Sequence, residues 1–263
     1  MDIQLSSGEF KSFLKKCHSG GLVKDLVIQA DTDKGIFSRF ATKEKSFYAE
    51  VYLKNVKVNA EGTIKVPHVK KLMDVISRAD SKIIRILSTE DTFCVTDGAG
   101  VGKMKTDMLQ IGDAEIVESY HDIQNLGKMF DTTSLEYTVA GIKYENGCKI
   151  SSGMLSEVLK DAKAFGFEVY TFMTKDVKGK LQLRCFIVNQ HTTEKLQRVV
   201  ADNDFLGDIS AVKESTVGKG FKEILEGVLG EEKELVEIYF HENSWLITDR
   251  ETFYFNLHTL DEN

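Results

Sequence analysis

Proline is nearly absent from this sequence: Pro67 is the only one in 263 residues. A chain this poor in proline carries no proline-rich linker or stiff spacer. No Gly/Ser tract takes its place, so the whole length is expected to fold. Long apolar runs are missing too. None approaches the roughly 18–20 residues of a membrane-spanning helix, and no membrane partner is expected. The opening MDIQLSSGEF lacks the charged-then-apolar pattern of a secretion signal, which points to a cytoplasmic protein. The four cysteines (Cys17, Cys94, Cys148, Cys185) are far apart and never form CxxC, so they read as reduced, mostly buried thiols.

Chemical signatures are equally scarce. The six histidines, His18, His68, His121, His191, His241 and His258, show no HxxxH or HxH spacing and no neighbouring cysteine, which argues against a metal site. The stretch Asp97-Gly98-Ala99-Gly100-Val101-Gly102-Lys103 invites a phosphate-binding reading. Its spacing from Gly98 is one residue short of GxxxxGK, however, and Met104 stands where a metal-reaching hydroxyl is required. A glycine-rich hairpin between two strands is the expectation. There is no GxSxG elbow and no acid pair in a segment that would place it in a cleft. Neither a catalytic residue nor a cofactor is assigned, and no enzyme activity is expected.

What the sequence holds is a rich set of short β segments. Residues 22–30, 35–40, 46–53, 82–88, 92–96 and 103–109 are β-rich and bounded by turn formers. The second half repeats the style at 136–144, 167–174, 181–188, 235–240, 244–248 and 252–257. Four segments instead carry apolar residues at i, i+3, i+4 and i+7, the stripe that buries one face of a helix. They are Phe10/Phe13/Leu14/Cys17, Val69/Leu72/Met73/Ile76, Leu155/Val158/Leu159/Ala162 and Phe221/Ile224/Leu225/Val228. Caps are expected at Ser6 or Ser7, at Thr63 or the Pro67 turn, at Ser151 or Ser152, and at Ser215 or Thr216. The helices in each half start about 60 residues apart with several strands between them. This order predicts an α+β fold made by internal duplication, with helices gathered on one face of antiparallel sheet.

The net charge of −7, from 34 basic and 41 acidic residues, at first argues against nucleic acid. Its distribution argues the other way. Over 7–18 and 66–79 each helical segment carries +2, and over 152–165 and 215–229 each is neutral. The four segments together hold ten cations against six carboxylates, or +4, which leaves −11 on everything else. A positive helical face on an otherwise negative molecule suits a phosphate backbone held without base readout.

Several segments then resemble a known family. Asp33-Lys34-Gly35-Ile36-Phe37-Ser38-Arg39-Phe40, followed by a strand bearing Tyr48-Ala49-Glu50, resembles the second strand-turn-strand of DNA sliding clamps. Cys148-Lys149-Ile150-Ser151-Ser152-Gly153-Met154-Leu155 is similar to the strand-into-helix opening of the clamp's second domain. The hairpin ending Phe253-Tyr254-Phe255-Asn256-Leu257 resembles the last clamp strand. The order and spacing of these segments carry the likeness over the whole chain, toward archaeal, eukaryotic and tailed-phage clamps.

The resemblance implies two clamp domains, 1–110 and 136–263, joined by a connector at 111–135, with sheet outside and two helices per domain inside. It implies a homotrimeric ring whose channel, lined by twelve helices at about +12, holds double-stranded DNA. Lys11, Lys15, Lys16, Lys70, Lys71, Arg78, Lys160, Lys163, Lys219 and Lys222 would touch phosphates loosely on flexible stems. The implied partners are a DNA polymerase, a clamp-loader ATPase and other copies of the chain, beside the nucleoid or in a host cytoplasm. Partner peptides would enter a pocket formed by Ala41, Tyr48, Ile111, Ile116, Leu126, Phe253, Phe255 and Leu257. Here the chain departs from the cellular pattern: the connector looks longer, and Leu257-His258 replaces the usual Ala-Pro, which points to a phage or otherwise divergent clamp. Two other readings stay open: an α+β enzyme or ligand-binding protein with solvated helices, and a scaffold that kept the fold without DNA contact.

Overall fold

A computed structural model of the chain describes residues 1–41, 48–97, 104–110, 137–139, 142–167, 169–188, 194–212, 214–217, 221–228, 235–241, 244–249 and 252–257. The chain divides into two compact units, Met1–Asn125 and Leu126–Asn263. The expected connector 111–135 lies outside the described residues.

The first unit runs β1 (Asp2–Ser6), α1 (Ser7–His18), β2 (Leu26–Asp31), β3 (Gly35–Ala41), β4 (Tyr48–Leu53), β5 (Lys57–Ala60), β6 (Gly62–Val66), α2 (Val69–Ser77), β7 (Ile83–Ser88), β8 (Thr92–Asp97) and β9 (Lys105–Leu109). Its strands pair antiparallel in the orders β5-β1-β7-β8-β9 and β4-β3-β2-β6. Alternate side chains of the first sheet make one apolar face, because successive residues of a strand point to opposite sides. Ile3 lies opposite Ile86, Leu5 opposite Ile84, and Ile86 opposite Val95, all buried.

The second unit opens with a hairpin, β10 (Tyr137–Val139) and β11 (Ile142–Tyr144), and then repeats the scheme. It runs β12 (Asn146–Ser151), α3 (Ser152–Phe165), β13 (Val169–Val177), β14 (Lys180–Val188), β15 (Lys195–Ala201), β16 (Phe205–Leu206), β17 (Ser215–Val217), α4 (Phe221–Val228), β18 (Leu235–His241), β19 (Ser244–Thr248) and β20 (Thr252–Leu257). Its strands follow the orders β16-β12-β18-β19-β20 and β15-β14-β13-β17. Counted from β1 and from β12, the two units match strand for strand and helix for helix. The duplication expected from spacing is therefore present as topology among the described residues: strand, helix, five strands, helix, three strands, twice.

Each helix buries most of the stripe read from its sequence, Met73 of α2 being half-buried. Phe10, Phe13, Leu14 and Cys17 of α1 are buried, as are Val69, Leu72 and Ile76 of α2. Leu155, Val158, Leu159 and Ala162 of α3 follow suit, and so do Phe221, Ile224 and Leu225 of α4. Phe221 anchors an aromatic cluster, with ring centroids 5.2 Å from Tyr170, 5.7 Å from Phe172 and 5.4 Å from Trp245. Full burial of one such ring contributes about 2–3 kcal/mol.

Local chemistry sets the turns. Asp31 Oδ1 accepts the N–H groups of Asp33 (2.8 Å) and Lys34 (3.0 Å), which reverses the chain between β2 and β3. Gly35 follows at φ +79°, where a Cβ would lie 2.3 Å from the Leu53 carbonyl oxygen. Only glycine fits there. α3 ends at Gly166 in the left-handed region (φ 67°), whose N–H closes onto the Ala162 and Lys163 carbonyls.

Several sequence expectations need correction. The stretch 136–144 is a hairpin with Val139 opposite Ile142, since two short strands satisfy their backbone groups against each other. β2 starts at Leu26 rather than at residue 22. Among the described residues five strands separate the helices of each unit, and the two- to four-residue strands β5, β16 and β17, too short to show a period, are missing from the sequence reading. Thr63 pairs with Gln29 inside β6, and Ser215 and Thr216 lie in β17, so none of them caps a helix. The other expected cap of this helix, the Pro67 turn, is where the cap falls. His68 takes the cap at φ +56°, with its N–H donated to Asp25 Oδ1 at 3.0 Å, and the helix begins at Val69.

Candidate nucleic-acid interface

α1 is built to carry cations toward its C-terminus. Ser6 accepts the Glu9 N–H at the helix start, Glu9 occupies the first turn, and Lys15, Lys16 and His18 fill the last. Acid at the positive end of the helix dipole and base at the negative end are each favourable. Lys11, Lys15 and His18 fall at i, i+4 and i+7, one stripe that flanks the buried Phe10 and Leu14. Lys11 and Lys15 are exposed, and Lys16 and His18 are half-buried.

α2 presents Lys70, Lys71 and Arg78, all exposed, with Asp74 as its one acid. α1 packs against α2. The packing brings the charged faces together: burial first, then the nearby Lys70 charge, holds the His18 pKa below its ordinary 6.5. Among the described residues, Lys11, Lys71 and Arg78 make no ion pair, so their charges remain available to an anion.

The second unit keeps part of this pattern. Ser6-Ser7-Gly8 at the start of α1 matches Ser151-Ser152-Gly153 at the start of α3, and the buried residues keep step from there. Lys15 therefore corresponds to Lys160, Lys16 to Asp161 and His18 to Lys163. The same alignment of α2 on α4 matches Lys70 with Lys222 and Lys71 with Glu223. Lys160, Lys163 and Lys222 are exposed. Lys160 binds Glu157 at 2.8 Å, and Asp161 is held by Arg198 of β15 at 2.5 Å. Lys219 lies outside the described residues. The cationic face is thus concentrated on α1 and α2, as the segment charges predict.

Of the expected peptide pocket, Ala41 and Tyr48 lie directly opposite each other across β3 and β4, both half-buried. Phe253, Phe255 and Leu257 alternate along β20, opposite Thr248, Leu246 and Ser244 of β19. The intervening Thr252 and Tyr254 are buried. Ile111, Ile116 and Leu126 lie outside the described residues.

The Arg39 and Glu50 that mark the sequence resemblance serve the fold. Glu50 is 1% exposed and accepts hydrogen bonds from both Arg39 Nε and the Tyr52 hydroxyl. The Arg39 guanidinium also lies 5.3 Å from the centre of the Phe37 ring, which stacks on Tyr52 at 5.7 Å. A buried carboxylate so satisfied locks β3 to β4. His18, adjacent to the α1 lysines in sequence, continues their spacing at i+7 from Lys11.

Other chemistry finds little support. Cys17, Cys148 and Cys185 are buried, and burial pushes their thiols up, away from the reactive thiolate. Among the described residues, no three His, Cys, Asp or Glu side chains gather as a metal site. No helix among them is long and apolar enough to cross a membrane. The glycine-rich segment 98–103 lies outside the described residues, and the strands flanking it, β8 and β9, pair antiparallel.

No protein-family model and no curated protein matches this sequence. Solved structures do match its fold. A PCNA of A. fulgidus, bound to the C-terminal region of FEN-1, superposes at a TM-score of 0.66 with 12% identity, covering 100% of this chain and 99% of that one. The PCNA2–PCNA3 complex of Sulfolobus tokodaii gives 0.65 and 13%, with both chains covered in full. The PCNA of Thermococcus kodakaraensis gives 0.64 and 16% over 97% of this chain and 98% of its own. The fold is that of the DNA sliding clamps. The chain carries it over its whole length, as two sheet-rich α+β units of the PCNA kind.

Proposed function

We propose that this chain is a DNA sliding clamp, a non-enzymatic processivity factor that encircles duplex DNA and tethers a polymerase to it. The observation that carries the reading is the separation of charge within the clamp fold. A chain of net charge −7 gathers exposed lysines on the helices α1 and α2, in the fold of proteins whose business is DNA. Contacts through Lys11, Lys15, Lys16, Lys70, Lys71 and Arg78 would be to phosphates and indifferent to sequence. Lys160, Lys163, Lys219 and Lys222 would add a weaker second set. Retention would come from topology, and mobility from the looseness of lysine contacts.

The ring is read as three copies of the chain, closed head to tail. β9 and β15 each end a sheet of their own unit, and Leu109 on β9 is 73% exposed. An open strand edge with an exposed apolar residue favours pairing with another chain. The S. tokodaii neighbour is itself a complex of two clamp chains. A separate loader ATPase would open such a ring. A short hydrophobic peptide from a polymerase or nuclease would seat on Ala41, Tyr48, Ile111, Ile116, Leu126, Phe253, Phe255 and Leu257, beside a connector at 111–135. The A. fulgidus neighbour has the C-terminal region of FEN-1 bound to it, which supports a peptide partner of this kind. The departures noted at the connector and after Leu257 suit a phage or otherwise divergent clamp, an archaeal source staying open beside it, with a place near the nucleoid or in a host cytoplasm.

The test is charge reversal. Changing Lys11, Lys15, Lys70 and Lys71 to Glu is expected to abolish stimulation of a polymerase on primed circular DNA, while native mass measurement shows the oligomer intact. Unchanged stimulation would overturn the DNA-facing assignment. A monomer that persists in the presence of circular DNA and loader would overturn the ring.

A further inference from the structure

His18 stands apart within the cationic stripe of α1. It extends the line of Lys11 and Lys15 by the i+7 step, and it is half-buried where they are exposed. In the second unit the equivalent place, three residues after Lys160 as His18 is three after Lys15, holds the exposed Lys163. One copy of the duplicated helix therefore ends in a permanent cation and the other in a group whose charge depends on pH.

We propose that His18 is a conditional phosphate contact, which binds the DNA backbone as imidazolium and couples the grip of this face to proton uptake. The proposal rests on the reading of α1 and α2 as a DNA-facing surface. The surroundings of His18 suit a group that is neutral until an anion arrives. α1 packs against β1, β4 and α2 and runs into the turn at Ser19–Gly21. From α2 the charge that acts on it is Lys70, and along α1 itself Lys15 stands three residues back. The carboxylates of the packed strands are engaged elsewhere: Asp2 of β1 with Arg85, and Glu50 of β4 with Arg39 and Tyr52. The turn adds no titratable side chain, and Gly21 lies beside the ring, where even a Cβ would make no more than van der Waals contact, 3.8 Å from His18 Cε1. Burial and the Lys70 charge both disfavour the imidazolium in the free protein. A phosphate laid across Lys15 and Lys70 would reverse that balance and draw a proton onto the ring. Lys163, permanently charged, would make the same contact in the other unit without the proton.

The experiment measures binding of a short mixed-sequence duplex at low salt, at pH 8 and pH 6, by wild type, His18→Gln and His18→Lys. Alongside, the His18 Cε1–H signal is titrated by NMR with and without duplex. Between pH 8 and pH 6 the wild-type affinity is expected to rise roughly two- to fivefold more than that of His18→Gln. His18→Lys is expected to bind at pH 8 about as wild type does at pH 6, and duplex is expected to raise the His18 titration midpoint. Equal pH responses in wild type and His18→Gln, or a midpoint that duplex leaves unmoved, would overturn the proposal. Lys15→Glu with Lys70→Glu separates the two claims. If that reversal removes binding while the pH responses stay equal, the DNA-facing surface survives and the proton linkage does not. If binding ignores the reversal, the surface assignment itself falls.

Discussion

The hydroxyls of Ser6 and Ser151 do the same work in the two halves of the chain. Ser6 Oγ accepts the Glu9 N–H at 3.4 Å and Ser151 Oγ accepts the Met154 N–H at 3.2 Å, each at the junction of a strand with the helix it feeds. Both hydroxyls satisfy an N–H that the helix leaves without an internal partner. The shared Ser-Ser-Gly opening is the clearest remnant of duplication in the sequence, and it fixes which lysines correspond.

The caps are open to measurement. Ser6→Ala and Ser151→Ala are each expected to cost about 1 kcal/mol, a fall in Tm of roughly 2–4 °C by calorimetry. If neither variant moves the transition, the caps do not fix the helix starts.

The two units are expected to contribute unequally to DNA binding. Each lost phosphate contact lowers the slope of log affinity against log salt by about 0.9. Changing Lys11, Lys70 and Lys71 to Gln should lower it by about 2.7. Changing Lys160, Lys163 and Lys222 to Gln should lower it by only about 1.8, since Glu157 already pairs with Lys160. Equal losses would show that both units share the contact.

Acid should loosen the first sheet at β1. Arg85 donates to both carboxylate oxygens of Asp2, at 2.9 and 2.6 Å, and this holds the Asp2 pKa below its ordinary 3.8 against the opposing effect of burial. A depressed carboxylate stabilises the fold above its unfolded pKa and loses that contribution as pH falls through the folded value. Asp2→Asn is therefore expected to unfold at lower urea than wild type at pH 7. The gap should narrow once the pH drops below 3.8. A gap that stays constant down to pH 2 would rule out the Asp2–Arg85 pair as its source.

Much of this molecule follows from local sequence. The four helices are legible because a 3.6-residue stripe such as Phe10/Phe13/Leu14/Cys17 reports directly on one buried face. The caps at Ser6 and Ser151 are equally local, for a side-chain oxygen need reach only three residues ahead. The sign of each helix can be counted from its residues.

Tertiary structure decided what depends on distant partners. β5, β16 and β17 exist because β1, β12 and β13 offer their edges, and no period in two to four residues could announce them. The start of α2 is set by Asp25, more than forty positions before His68, holding a turn that Pro67 alone does not define. Arg39 and Glu50 look like two ordinary surface charges in the sequence, and pairing of β3 with β4 turns them into a buried bridge. Composition alone leaves His18 beside a run of lysines on one helix. Packing of α1 on α2 adds Lys70 from a second helix, and long-range contact of that kind is what turns separate charges into a surface.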